Sequence, residues 1–284
     1  RAQDPELHQR WDLRFSEIDY LPRSDDESPQ RFHYSTRIGF GLRIDGQGES
    51  TGTRNGPTGE RTSALRFWSN DFKSLIRDGS GYWRYVTAPG GVRFITSYNY
   101  TTRFGLAGRA LDAVVFRPLM GWATAWSFDR LRLWVENEID PAVSMQQSVV
   151  HAIARCAIAG VFLYQGLVPK LIFRHSSEVR MLTESGVDPR ATPSALFVIG
   201  LAEVILGVFM LIAWRPRWPF AIVLMLMAAA LLEVAIVAPY TLSNAFNPVV
   251  LNISVAALAA IGWLTSRDLP SASRCYRAPQ REFT

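Results

Sequence analysis

The hydrophobic period of this chain changes twice. From Phe32 to Ile44 apolar side chains fall on alternate positions, Phe32, Tyr34, Ile38, Phe40, Leu42 and Ile44, with Thr36 interrupting. A period of two marks a half-buried strand. Gly39, Gly41, Gly46 and Gly48 lie between these positions and suit strong curvature or bulges. Trp11–Tyr20 also reads as a strand, Leu21–Gln30 as a polar loop and Glu49–Glu60 as Gly- and Thr-rich turn. Three further strands are expected over Thr62–Ser69, Lys73–Val86 and Val92–Thr102, the last two joined by a turn at Pro89-Gly90-Gly91. In the last strand Val92, Phe94, Thr96, Tyr98 and Tyr100 share one face. From Leu106 the spacing turns helical, through Leu111, Val114, Val115, Leu119, Trp122, Trp126 and Leu133, with Pro118 expected as a kink and Asp140-Pro141 as the end.

Beyond Ser148 alternation gives way to long apolar blocks. Four membrane spans are expected near Val149–Leu167, Ser194–Trp214, Trp218–Ala238 and Val249–Ser266, each close to the ~20 residues that cross ~30 Å of hydrocarbon. Tyr164, Trp214, Trp218, Tyr240 and Trp263 sit near span ends, as interfacial aromatics do. Arg130, Arg132, Arg215, Arg217, Arg267, Arg274 and Arg277 fall on one side of the bundle. The excess of arginine is expected to put that side, and both termini, in the cytoplasm; the localisation expected is a bacterial inner membrane, crossed several times.

Charge follows the same division. The 284 residues carry 30 Lys and Arg against 25 Asp and Glu, and most of the excess lies after Val149. The basic balance therefore comes from membrane-flanking arginines, and no clustered basic face points to nucleic acid. The two domains expected are a soluble one over residues 1–138 and a membrane one over 149–268, joined by a linker at 139–148 and followed by a cytoplasmic tail at 269–284. Cys156 and Cys275 lie far apart in this scheme and are not expected to pair. The opening RAQDPELHQRW reads as the end of a helix already under way, with further residues expected before Arg1 and no signal peptide in view.

Chemistry-bearing motifs are sparse. There is no GxGxxG after a strand, no phosphate-binding loop, no HExxH and no nucleophile elbow. His8, His33, His151 and His175 are scattered, no metal or cofactor is expected, and Asp25, Asp26 and Glu27 read as a solvated loop. Two sets of residues stand out instead. In the soluble half, Phe40, Trp68, Tyr82, Phe94, Tyr98, Tyr100, Trp122 and Trp126 either line a pocket for an apolar ligand or simply form the core. In the apolar half, His151, Arg155, Gln165, Lys170, Glu178, Glu203, Glu233 and Asn252 are polar where hydrocarbon is expected. A charge there costs about 2.5 kcal/mol or more, so such groups turn inward and are often functional. At ~1.5 Å per residue, His151 and Arg155 lie within ~10 Å of the cytoplasmic side, Glu203 near ~15 Å, and Glu233 and Asn252 near ~20 Å. Glu203 is thus the expected partner of Arg155, and Asn252 of Glu233, while Lys170 and Glu178 read as interfacial charges. The inner set is either a site for a proton, a quinone or a lipid head group, or an ion pair that fixes helix register.

Two stretches resemble known families. PELHQRWDLRF and WSFDRLRLWVE resemble the early helix–strand junction and the C-terminal helix of the SRPBCC (START-like) helix-grip fold, over Asp4–Asn137. The resemblance implies a curved sheet around a long helix with a deep cavity, but it fixes no chemistry. YQGLVPKLI (Tyr164–Ile172), Glu178, GLAEVILG (Gly200–Gly207) and NPVVLN (Asn247–Asn252) resemble the DoxX-like four-helix membrane proteins, whose relatives are implicated in respiratory and redox complexes. The fold class expected is an α+β helix-grip domain followed by an all-α four-helix transmembrane bundle. The function expected is a non-catalytic one: a cytoplasmic domain binding a lipid, isoprenoid or quinone, coupled to the bundle. The alternatives are a subunit of a membrane redox complex with a proton or quinone site, or a small transporter. The partners expected are the lipid bilayer, that ligand and redox-complex subunits.

Overall fold

A computed structural model describes residues 1–277 apart from 24, 26, 27, 40, 58, 244 and 246. Two compact units result: Arg1–Ala142 with the segment that begins at Pro270, and Val143–Leu269.

The first unit is a six-stranded antiparallel sheet with helices. Helix α1 (Pro5–Trp11) starts within the chain, because the Leu7 amide donates to the Asp4 carboxylate at 3.2 Å and Pro5 needs no partner for a missing N–H. The expected continuation of an earlier helix is thereby corrected, and Trp11 belongs to α1, not to the strand. Strands β1 (Glu17–Tyr20), β2 (Arg31–Gly39), β3 (Leu42–Asn55), β4 (Arg61–Trp68), β5 (Ile76–Ala88) and β6 (Gly91–Thr102) pair in chain order. The alternation from Phe32 to Ile44 thus belongs to two strands, with Gly41 in the left-handed region (φ 77°) at the hairpin tip. Phe40 lies outside the described residues, as do Asp26 and Glu27. Glu49–Asn55 continues β3 instead of forming a turn.

One face of the sheet is aromatic, and glycines make room for it. The Tyr34 and Phe32 rings of β2 lie over Gly46 and Gly48 of β3, where a methyl group would come within 2.2 and 2.3 Å of the ring carbons. After β6 the chain forms α2 (Gly105–Leu111), a π-helical turn (Asp112–Phe116) and α3 (Arg117–Glu136). Pro118 stands at the start of α3, directly after the π turn. Phe128 of α3 stacks on Phe94 of β6 at 4.6 Å, and Trp11, Leu131 and Trp134 complete a core beneath the sheet. The segment at Ala272–Arg274 returns to α3. There the buried Asp129 accepts from the Ser271 amide at 2.7 Å and pairs with Arg274 at 3.0 Å and Arg132 at 2.8 Å.

The second unit is helical. Helix α4 (Pro141–Gln165) begins four residues after α3, so most of the expected linker at 139–148 is its first turns. It runs into a π-helical turn (Gly166–Ile172) at Pro169, which cannot donate a backbone hydrogen bond. Then follow α5 (Ser176–Glu184), α6 (Thr192–Ile212), α7 (Trp218–Val237) and α8 (Pro248–Leu264). Ile158, Ala159 and Phe162 of α4 meet Met210 of α6, Phe220 and Val223 of α7, and Val255 and Ala259 of α8. Pro141–Ile172, α6 and α7 are long and apolar enough to cross a membrane, and α8 is a shorter apolar helix of 17 residues. Their outer faces carry exposed Ile153, Ile205, Met225, Ile236 and Val250. Apolar residues on all sides of a helix fit hydrocarbon, not water.

Candidate functional site

Two buried cations on the first apolar helix organise the second unit. The guanidinium of Arg155 is fully buried. It donates to the carbonyls of Met210 and Ala213, both at 2.8 Å, to that of Pro216 at 2.7 Å and to His151 Nε2 at 2.8 Å. Met210 and Ala213 lie at the end of α6, where carbonyls have no partner within the helix and the backbone dipole favours a cation. Because Nε2 accepts, His151 carries its proton on Nδ1, which faces the Gly262 carbonyl of α8 at 3.2 Å. The rings of Phe220 and Trp214 lie against the guanidinium at 4.8 and 5.8 Å. Arg155 therefore fastens α4 to the α6–α7 turn and, through His151, to α8. The expected Arg155–Glu203 pair is not formed, because the nearer α6 carbonyls occupy the guanidinium.

Glu203 is held by Lys170. The ammonium lies 3.0 Å from Glu203 Oε2 and 3.4 Å from Glu178 Oε2, and it donates to the Gln165 carbonyl at 3.4 Å. Its side chain is only 10% exposed, against 22% for Glu203 and 26% for Glu178. Lys170 is thus buried between two carboxylates, not an interfacial charge. Three glycines set this register. A methyl at Gly166 would meet the Gly200 carbonyl oxygen at 2.5 Å, one at Gly200 would meet Lys170 Cβ at 2.9 Å, and one at Gly207 would meet Leu163 at 2.8 Å. With no Cβ in the way, the two backbones touch, and Glu203, three residues after Gly200, comes level with Lys170. Glu203 Oε2 is buried, lies 3.0 Å from the Lys170 ammonium and, among the described residues, has no well-aligned hydrogen-bond donor. The Gln165 side chain is half-buried and only its carbonyl joins the cluster.

The remaining polar residues lie elsewhere. Glu233 accepts from the Ser185 hydroxyl at 2.7 Å, so its expected partnership with Asn252 is replaced; Asn252 is half-buried on α8. Beside it, Tyr240 donates to Glu184 at 2.7 Å, and Arg180 holds the other carboxylate oxygen at 2.7 Å. The Tyr240 and Arg180 donors hold the Glu184 carboxyl below its usual range, and the same bond pushes the Tyr240 phenol up.

In the sheet unit Phe94, Tyr98 and Tyr100 face the helices. Phe94 is sandwiched between Tyr85 and Phe128 at 4.6 Å each, Tyr98 reaches Thr124 at 3.3 Å and Tyr100 donates to Asp112 at 2.6 Å. Burial, and then the bond to Asp112, raises the Tyr100 phenol to about 12. Trp126 is buried, but Trp122, stacked on it, is 42% exposed. Trp68 and Tyr82 are corrected to the opposite face of the sheet, since β4 pairs Phe67, not Trp68, with Gly79, and β5 pairs Gly81, not Tyr82, with Tyr98. Two open grooves of about 350 and 570 Å³ share Arg66, Ser80 and Asn99, which also lie on that opposite face.

Sequence reasoning missed a charged cluster under this core. Asp12 is buried against Arg14 at 2.6 Å and His8 at 3.0 Å. Burial pushes its carboxyl up, but Arg14 and then His8 outweigh that and hold it far below the usual range. The signal was the i, i+4 spacing of His8 and Asp12 at the end of α1. Arg130 is a second such residue: both its Nε and one terminal nitrogen donate to the Pro141 carbonyl, at 2.9 and 2.6 Å. Burial lowers its guanidinium to about 10. Both cysteines are free. Among the described residues no three His, Cys, Asp or Glu side chains are grouped to hold a metal ion.

Helices apolar on the outside and charged within define a membrane domain. Comparison with known proteins agrees: residues 159–260 are a DoxX-like domain, matching the DoxX-like family. The chain is also 47% identical over 166 residues to the uncharacterized membrane protein YndG of Bacillus subtilis (strain 168), which covers 58% of this chain and 62% of that relative. The chain thus spans less than two thirds of that relative's length. No solved structure matches it.

Proposed function

We propose that the DoxX-like domain holds the polar head group of a long-tailed apolar molecule at Lys170, Glu178 and Glu203. The observation that carries this is the unsaturated state of the cluster. One ammonium faces two carboxylates, a net charge of −1 in a low-dielectric setting, and among the described residues Glu203 Oε2 lacks a well-aligned donor. A hydroxyl would satisfy Glu203 and a carbonyl would take a free ammonium proton, which suits a quinone or quinol, or the head of an isoprenoid or other lipid. The role is binding or accessory, not catalytic. The sheet unit is read as a START-like helix-grip domain, supported by six antiparallel strands whose aromatic face meets α3. It serves the bundle from the cytoplasm, in keeping with the arginines that flank the spans.

Mass spectrometry of lipids retained by purified full-length protein tests the reading. One isoprenoid or lipid species should be enriched over the bulk membrane and lost in Glu203→Gln and Lys170→Met. Retention of bulk lipids only, unchanged in both variants, would refute it. Enriched quinone with a redox-active complex would instead favour the redox-subunit role, and proton-coupled uptake into vesicles the transporter role.

A further inference from the structure

We propose that Gly105–Trp122 is a membrane-surface anchor, laying the sheet unit on an anionic bilayer. The sequence pattern assigns this stretch to the inside of the soluble unit, yet it is exposed. Leu106 is 79% exposed, Val114 76%, Leu119 57% and Trp122 42%, with Leu111 and Val115 also half open. The segment meets its own unit through a few residues. Gly108 sits against the Arg103 carbonyl, Asp112 is buried with Tyr100 and Arg117, and Phe116 meets the Tyr100 ring edge-on at 6.1 Å. A helix facing water would carry charge on its free sides, and this one carries Leu and Val.

The occupant follows from charge and tether. Within Gly105–Trp122 the charged residues are Arg109, Arg117 and Asp112; Asp112 is buried and paired with Arg117, which leaves the exposed Arg109 as the positive surplus. An apolar helix with a positive surplus and a tryptophan matches the interface of an anionic bilayer. The four residues between α3 and α4 span at most about 14 Å, so a short tether joins the sheet unit to the apolar helices. A water-soluble partner would have to compete with that surface.

Full-length protein in phosphatidylcholine/phosphatidylglycerol nanodiscs provides the test. Val114→Cys, in a background of Cys156→Ser and Cys275→Ser, carries a fluorophore; Val92→Cys on the exposed start of β6 carries the control. At position 114 bromolipid should quench the label, and iodide should quench it several-fold less than at 92. Leu106→Glu with Leu119→Glu should restore iodide access at 114. Equal iodide access at 114 and 92 would overturn the proposal. So would a label shielded from both quenchers, since protein, either a second copy or the chain's own bundle, would then cover the segment.

Discussion

Arg155 and Lys170 are both buried cations on the first apolar helix, ~22 Å apart along it, yet their surroundings have little in common. Arg155 meets three carbonyls and a neutral imidazole, all near 2.8 Å, and its charge rests on backbone dipoles at a helix end. Lys170 meets two carboxylates, one of which has an oxygen with no well-aligned donor among the described residues. The first site is closed and the second is open. Burial alone therefore does not mark function; what separates the two is whether the surrounding groups are already satisfied.

The sharpest way to break that contrast is at the closed site. Arg155→Met would strand the carbonyls of Met210, Ala213 and Pro216 and leave His151 Nε2 without a donor. Each lost partner of a buried polar group costs about 1–3 kcal/mol, so a total loss of about 3–5 kcal/mol is expected after relaxation. Thermal unfolding in detergent should show it, and Arg155→Lys should recover only part, because an ammonium cannot reproduce the planar fork. A variant as stable as the parent would show that Arg155 is no fastening.

Next comes the seam that creates the open site. In Gly166→Ala the new methyl would lie 2.5 Å from the Gly200 carbonyl oxygen, which is backbone and cannot swing aside. The helices must separate, at a cost of about 1–3 kcal/mol, and Lys170 should lose Glu203. The expected signature is destabilisation together with loss of the retained lipid. Unchanged stability would mean that α4 and α6 do not touch there.

This seam also shows where sequence reading stops. Alternation and apolar run length revealed an antiparallel sheet and the apolar helices because they depend on local periodicity. The partner of Lys170 depends on the rotation and offset of two helices, which Gly166 and Gly200 fix through the absence of side chains. Depth counting puts Glu203 about one turn deeper than Arg155 and within its reach, whereas Glu203 pairs with Lys170 toward the other end of the helix. Arg155 itself was legible in principle: a helix that ends at WRPRW exposes carbonyls that need donors, and backbone acceptors were not counted. On the sheet, one glycine-rich hairpin passed for one strand because the alternation continues in phase through the turn. Leu111, Val114 and Val115 have the spacing of a buried stripe but lie open, since periodicity tells which residues share a face and not what covers it.

At the open site itself stability should barely move while binding fails. Glu203→Gln keeps the shape and leaves Lys170 with Glu178 at 3.4 Å, so a change below about 1 kcal/mol is expected. Retention of the head group should fall at least tenfold if the carboxylate accounts for about 1.4 kcal/mol of binding. A large loss of stability with binding intact would make Lys170–Glu203 a second fastening like Arg155.

The smallest effect is expected at the polar cluster outside the spans, where Tyr240 donates to Glu184 at 2.7 Å. Glu184 is depressed in the folded state, by Tyr240 first and Arg180 second, so its contribution exists above the unfolded value near ~4.3 and is lost as pH falls through the folded one. Tyr240 is raised by the same bond, so its contribution is complete below ~10 and is lost as pH rises further. Tyr240→Phe should therefore lower the melting temperature slightly between about pH 5 and 9, and the difference should close at either end. The groups are solvent-exposed, so salt should shrink the gap. A difference that persists unchanged to pH 3 would assign the effect to ring packing against Arg180, whose guanidinium lies 4.8 Å from the Tyr240 ring, and would leave the carboxylate with no share in it.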